Sequence, residues 1–115
     1  MRILNVFIAV LIAVILFSCK GTGSGAVVEK TAHVYGNCEK CKATIEKAAK
    51  IKGVEKADWN VDSKLITLKF DSLQTNQDAI LKAIATAGYD NDAYTGDDYA
   101  YQKLPDCCHY DRKEN

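Results

Sequence analysis

The spacing of apolar and polar positions changes several times along this chain, and each change marks an element. Residues 3–17 are apolar almost without interruption, Asn5 being the exception. As a helix this run spans roughly 22 Å at 1.5 Å per residue. That is short of the roughly 30 Å hydrocarbon core of a bilayer. Residues 26–35 carry valines, threonine and tyrosine with no breaker before Gly36. This predicts a first strand, with Val28, Ala32 and Val34 on one face and His33 and Tyr35 on the other. From Cys41 the period lengthens, and Cys41, Ile45, Ala48, Ala49 and Lys52 fall at helical spacing. A helix is expected over about residues 39–52, with Gly53 as its C-cap. Residues 54–61 alternate, with Ala57, Trp59 and Val61 inward and Asp58 and Asn60 outward. Asp62-Ser63-Lys64 reads as a turn, and residues 65–70 alternate again with Ile66, Leu68 and Phe70 on one face, which predicts a hairpin. Thr75-Asn76-Gln77-Asp78 has the form of a capping box with aspartate in the last place. Ile80, Ala83, Ile84 and Ala87 follow at helical spacing as far as Gly88, and residues 89–94 are expected to form a short last strand.

The order is βαββαβ. It predicts an α+β, ferredoxin-like sandwich with one antiparallel four-stranded sheet and both helices on one face. In that topology the start of the last strand lies beside the end of the first, so Tyr89 is expected near the loop at residues 36–41. Trp59 reads as core, and His33 as a solvated strand residue.

Charge and cysteine content alter this picture. Acidic and basic residues number 15 each, are interspersed, and give a formal net charge of zero. No basic patch points to nucleic acid. The five cysteines are Cys19, Cys38, Cys41, Cys107 and Cys108, and an odd count in an exported protein calls for a reason. Arg2, the apolar run and Leu16-Phe17-Ser18-Cys19 resemble a bacterial signal peptide ending in a lipobox. On that reading residues 1–18 are removed and Cys19 becomes a lipidated N-terminus. Residues 19–25 form a flexible tether, and four cysteines remain. The alternative is an ordinary cleaved signal peptide. Lipidation implies a protein of the bacterial cell envelope, anchored to the membrane and facing the periplasm. The absence of aspartate after Cys19 favours the outer membrane by resemblance to known sorting rules.

The chemistry centres on Cys38-Glu39-Lys40-Cys41, between the first strand and the first helix. Thiolate is the form of sulfur that binds metal, and soft ligands select Cu(I), Zn(II) and heavier ions. Cys41 is expected in the first helical turn, where the partial positive charge favours thiolate. Lys40 and Lys42 are expected to add to that effect, and the neutral Asn37 precedes the pair.

This CxxC, Gly53-Val54, the hairpin ending in Phe70-Asp71, and Ala87-Gly88-Tyr89 together resemble the heavy-metal-associated domain of copper chaperones and the periplasmic mercury-binding protein. The resemblance covers about residues 27–95. It implies the βαββαβ fold, Cys38 and Cys41 as thiolate ligands, and the binding and hand-over of a soft metal ion. It also places Tyr89 near the site, as a matching tyrosine is in bacterial copper chaperones. The family's loop usually reads Gly-Met-Thr/Asp-Cys-x-x-Cys. Gly36-Asn37-Cys38 is one residue shorter and lacks the methionine that plugs the core beneath the loop. Asn37 also replaces the carboxylate that zinc-selective members often carry there. Cu(I) is the expected cargo, with Hg(II), Zn(II) and Cd(II) as alternatives, and the partner is a metal-transporting or metal-accepting envelope protein.

Beyond the domain, Leu104-Pro105-Asp106-Cys107-Cys108-His109 forms a second cluster in residues 97–115. Adjacent cysteines rarely bridge each other, since the ring is strained. Residues 97–107 can reach roughly 33 Å at about 3.3 Å per residue, enough to return along a strand of about 20 Å. Cys107, Cys108 and His109 are therefore candidate extra ligands, or a cap over the site. The alternative is a disordered acidic tail whose cysteines form disulfides.

Three functions follow: a binder and carrier of metal that is not an enzyme, a thiol–disulfide oxidoreductase using the CxxC pair, and a structural envelope lipoprotein. The second fits a cysteine of low pKa at a helix start. It lacks the cis-proline facing the pair that thioredoxin-like proteins need, because the one proline, Pro105, precedes Cys107.

Overall fold

The hairpin expected from the alternating residues is the centre of the sheet. In this computed structural model, which describes residues 26–114, β2 (Val54–Trp59) and β3 (Leu65–Asp71) pair antiparallel. The strand β1 (Val27–His33) pairs antiparallel with the other edge of β3, giving the order β1-β3-β2. The expected signal peptide, Cys19 and the tether lie outside the described residues. The period of two puts Ala57, Trp59, Ile66, Leu68 and Phe70 on one buried face. Against it lie α1 (Glu39–Ala49), through Cys41, Ile45 and Ala49, and α2 (Gln77–Thr86), through Ile80, Leu81 and Ile84. Each large aliphatic side chain buried there stabilises the fold by about 1.5–3 kcal/mol.

Two helix ends differ from expectation. α1 stops at Ala49, because the Lys50 and Ile51 N–H groups bond back to Lys47 and Ala49 carbonyls and tighten the last turn. Gly53 instead turns the chain into β2 at φ +97°, where a Cβ would lie 2.8 Å from Gln74 Cβ. At α2 the N-cap is Asn76 rather than Thr75, since the Asn76 side chain accepts the Ala79 N–H at 2.8 Å. Asp78 does not reach back to close a box. It accepts the Tyr94 hydroxyl at 2.8 and 2.9 Å.

The fourth strand does not form. Among the described residues the sheet has three strands, and the expected fourth is a single bridge between Val34 and Asn91. Tyr35 N–H donates to the Asp90 carbonyl at 2.9 Å and Asp92 N–H to the His33 carbonyl at 3.2 Å, and the pairing ends there. The cause is the Asp90-Asn91 pair. Asn91 Oδ1 accepts the Ala93 and Tyr94 N–H groups at 3.1 and 3.0 Å, and Asp90 Oδ1 accepts that of Gly96 at 2.6 Å. Short polar side chains that capture nearby backbone in this way favour turns over ladders.

The chain therefore reverses early, and the last segment becomes part of the packed fold. A short helix α3 (Asp98–Gln102), capped by Asp97, crosses over Gly88, and a 3₁₀ turn spans Asp106–Cys108. Tyr110 is buried behind it. Its hydroxyl donates to the Gly88 carbonyl at 2.6 Å and accepts the Asp90 N–H at 2.8 Å.

Candidate metal centre

The sulfurs of Cys38, Cys41 and Cys108 all lie within 4.8 Å of one another. Those of Cys38 and Cys41 are 3.8 Å apart. A metal–sulfur bond is about 2.3 Å, so three sulfurs in a plane around one ion would sit about 4.0 Å apart. The three thiols are thus close to the spacing of a single soft-metal site.

Each cysteine is placed by an identifiable device. Cys38 is the N-cap of α1 and is half-exposed, while Cys41, in the first turn, is fully buried. The loop before them is fixed from beneath. A Cβ on Gly36 would meet the Trp59 ring at 2.9 Å and Ile45 Cδ1 at 3.2 Å. The indole thus fills the space under the loop, and its Nε1–H donates to the Val34 carbonyl at 3.0 Å. Cys108 arrives on the 3₁₀ turn and is 1% exposed.

The electrostatics make the thiols unequal. Cys38 makes no capping hydrogen bond, yet the free N–H groups of the first turn, Cys41's foremost and then Lys40's, favour its thiolate over the cost of burial. Its pKa falls from 9.0 to about 7. Burial, and then the neighbouring Cys41, push the Cys108 thiol up to about 12. Burial raises the Tyr89 phenol as well, and the Cys41 and Cys108 thiols beside it act in the same direction. That hydroxyl is completely buried and has no hydrogen-bond partner among the described residues. Without metal the Cys108 sulfur keeps its proton. A cation that binds thiolate there displaces that proton as it enters.

The other candidates fall outside this trio. The Cys107 thiol is exposed and 3.9 Å from the Cys108 sulfur. The Cys107 carbonyl accepts from Asn37 Nδ2 at 3.4 Å and from the Cys38 thiol at 3.5 Å. Asn37 therefore tethers the tail to the loop. His109 is exposed, with its ring 5.1 Å from that of Tyr101. Lys40 is exposed, and Lys42 does not serve the thiols as expected. Its ammonium is held by Glu46 at 2.6 Å, Asp58 at 2.7 Å and the Trp59 carbonyl at 2.7 Å. His33 packs edge-on against Tyr35 and contributes nothing to the cluster. All four described cysteines are free thiols.

The sequence reading missed Asp90, Tyr110 and Arg112, which hold the tail in place. Arg112 Nε and Nη2 grip Asp90 at 2.9 and 2.8 Å, and Nη1 meets Asp98 at 2.9 Å. A signal was present. Arg112 is the one arginine after Arg2 in a lysine-rich chain, and arginine's planar fork suits a buried carboxylate.

Comparison with known proteins agrees with this geometry. Residues 37–90 match the Heavy-metal-associated domain. The oxidized MerP of Ralstonia metallidurans CH34 is 34% identical, with 57% of this chain and 94% of that chain covered and a TM-score of 0.54. A CopZ metallochaperone is 29% identical, with 56% and 98% covered and a TM-score of 0.54. The putative copper-ion-binding protein from Bacillus anthracis str. Ames is 28% identical, with 59% and 99% covered and a TM-score of 0.56. None of the curated proteins matches the chain. The family match ends at Asp90, so the segment carrying Cys108, Tyr110 and Arg112 lies beyond it.

Proposed function

Because the chain belongs to the heavy-metal-associated domain family, we propose that it takes up one soft metal ion, Cu(I) first, through Cys38 and Cys41 and passes it on or sequesters it. The family and the cysteine cluster support heavy-metal binding in general; the choice of ion and the hand-over are our reading. The observation that carries it is the pair of sulfurs 3.8 Å apart at the start of α1, one half-exposed and one buried. The exposed Cys38, already poised as thiolate, meets the incoming ion, and Cys41 closes on it from within.

The donor set favours Cu(I) over Zn(II). Zinc in structural sites takes four ligands, and among the described residues no carboxylate or imidazole joins the sulfurs. A singly charged ion on two thiolates leaves one negative charge, which the partial positive charge at the α1 N-terminus stabilises. Hg(II) and Cd(II) are the other soft candidates. In hand-over, a thiol of the accepting protein bonds to the ion, giving up its proton, before a bond to this chain breaks. The step needs no general base, and we read the chain as a carrier rather than an enzyme. We place it in the bacterial envelope, held to the membrane by a lipidated Cys19. That part rests on the pattern of residues 1–25, outside the described residues.

The reading is tested by offering the reduced protein Cu(I) and Zn(II) together, then adding an acceptor dithiol. Selective uptake of Cu(I) followed by its transfer supports it. Preference for Zn(II), or retention of Cu(I) against the acceptor, contradicts the ion or the hand-over respectively.

A further inference from the structure

The third sulfur of the cluster comes from a part of the chain that the family match does not reach. Cys108 is 1% exposed, and its sulfur lies within 4.8 Å of those of both Cys38 and Cys41. A buried thiol that serves packing alone could face any apolar part of the core, but this one faces the CxxC pair. Beside it is the Tyr89 hydroxyl, fully buried and without a hydrogen-bond partner among the described residues. An unpaired buried hydroxyl is costly. Its natural acceptor here is a sulfur bearing negative charge, and the Cys41 and Cys108 sulfurs are its neighbours. The orphaned donor thus lies where a charged sulfur of either Cys41 or Cys108 would accept it.

The strap that carries Cys108 is anchored on both sides of it. Asn37 holds the Cys107 carbonyl to the metal loop, Tyr110 locks to Gly88 and Asp90, and Arg112 locks to Asp90 and the Gly96 carbonyl. Residue 108 is therefore fixed in the cluster by bonds that do not involve its own thiol.

From this arrangement we propose that Cys108 is a third sulfur ligand to the ion and occupies the position that an accepting protein's thiol takes during transfer. This rests on the metal-binding reading above and extends it. The closed site is a three-sulfur set for a soft ion that accepts trigonal coordination, Cu(I) or Hg(II). Transfer begins when a thiol of the acceptor bonds to the ion and the bond to Cys108 breaks. The proton released by the acceptor's thiol passes to Cys108, so charge at the ion is unchanged. The strap shields the ion from small thiols, while Cys107, exposed beside Cys108, is not part of the resting set.

X-ray absorption on the Cu(I)-loaded full chain in detergent counts the sulfurs directly. A phosphine reductant avoids added thiol, and Cys19→Ser in every sample removes the remaining cysteine. The expected result is three sulfurs in the otherwise native protein and in Cys107→Ser, and two in Cys108→Ser. Two sulfurs in the otherwise native protein, or three in Cys108→Ser, overturns the inference while leaving metal binding by Cys38 and Cys41 intact. If Cys108→Ser fails to fold, the count in Cys107→Ser decides, since two sulfurs there exclude Cys108 as a ligand. No uptake of Cu(I) by any sample overturns the metal-binding reading itself, and this inference with it.

Discussion

Arg112 closes a two-pronged ion pair on Asp90, Nε to Oδ2 at 2.9 Å and Nη2 to Oδ1 at 2.8 Å. The Asp90 side chain is 1% exposed and also accepts the N–H groups of Gly96 and Lys113. One carboxylate therefore fixes the turn that ends the sheet and the strap that carries Cys108. Burial alone would raise its pKa. The Arg112 guanidinium and the two N–H groups overcome that and hold the carboxyl below its ordinary 3.8.

Arg112→Ala leaves this carboxylate buried without its cation. Removing one partner of a buried pair costs about 3–5 kcal/mol, and the two remaining N–H donors place this case near about 3. Urea denaturation should show the loss. A change below about 1 kcal/mol would mean that the strap is not held by this pair.

The same pair sets an acid-sensitive window. A carboxyl with a depressed folded pKa contributes stability that is present above its unfolded value and lost as pH falls through the folded one. For Asp90 that loss begins below about pH 3.8. The stability gap between wild type and Arg112→Ala should therefore narrow on acidification, from the higher pKa that Asp90 takes without its cation down through its depressed wild-type pKa. A gap that stays constant down to about pH 2 would assign the effect of Arg112 to packing on Tyr101, whose ring lies 4.7 Å from its guanidinium carbon.

Tyr89→Phe separates structure from binding. The hydroxyl has no hydrogen-bond partner among the described residues, so removing it should leave folding stability unchanged or raise it by about 1 kcal/mol. If the hydroxyl donates to a metal-bound sulfur, the same change weakens Cu(I) binding roughly tenfold, the equivalent of about 1.4 kcal/mol. Unchanged affinity would show that the hydroxyl is a passive neighbour.

Cys38 should be the first thiol to react. Its pKa of about 7 lies below the ordinary 9.0, and thiolate is the nucleophile. In the reduced, metal-free protein its alkylation rate should rise through pH 7 and level off above about pH 8. Cys108, buried and pushed up to about 12, should stay unreactive across that range. Mass mapping of the alkylated sites checks both, and a midpoint near pH 9 for Cys38 would contradict the helix-terminus account.

Where one residue acted through its own periodicity, the sequence was legible. Trp59, Ile66 and Leu68 alternate into the core, Cys41 and Ile45 share a helical face, and Gly88 follows the cap of α2 at φ +103°. The fourth strand was misread because its outcome depended on side-chain capture of backbone by Asp90 and Asn91, which hydrophobic period does not encode. Reach and residue type could bring the tail's thiols to the loop. They could not choose between Cys107 and Cys108. That choice depends on the 3₁₀ turn and on Tyr110 and Arg112, which act across more than 20 residues of sequence.

The central claim is that Cys38 and Cys41 hold a soft metal ion. Its most direct test is a titration of the reduced full chain with Cu(I) against a chromophoric chelator, beside the Cys38→Ser/Cys41→Ser variant. The account predicts one tightly held Cu(I) per chain, with affinity lowered at least a hundredfold in the variant. Equal binding by the two proteins would contradict it.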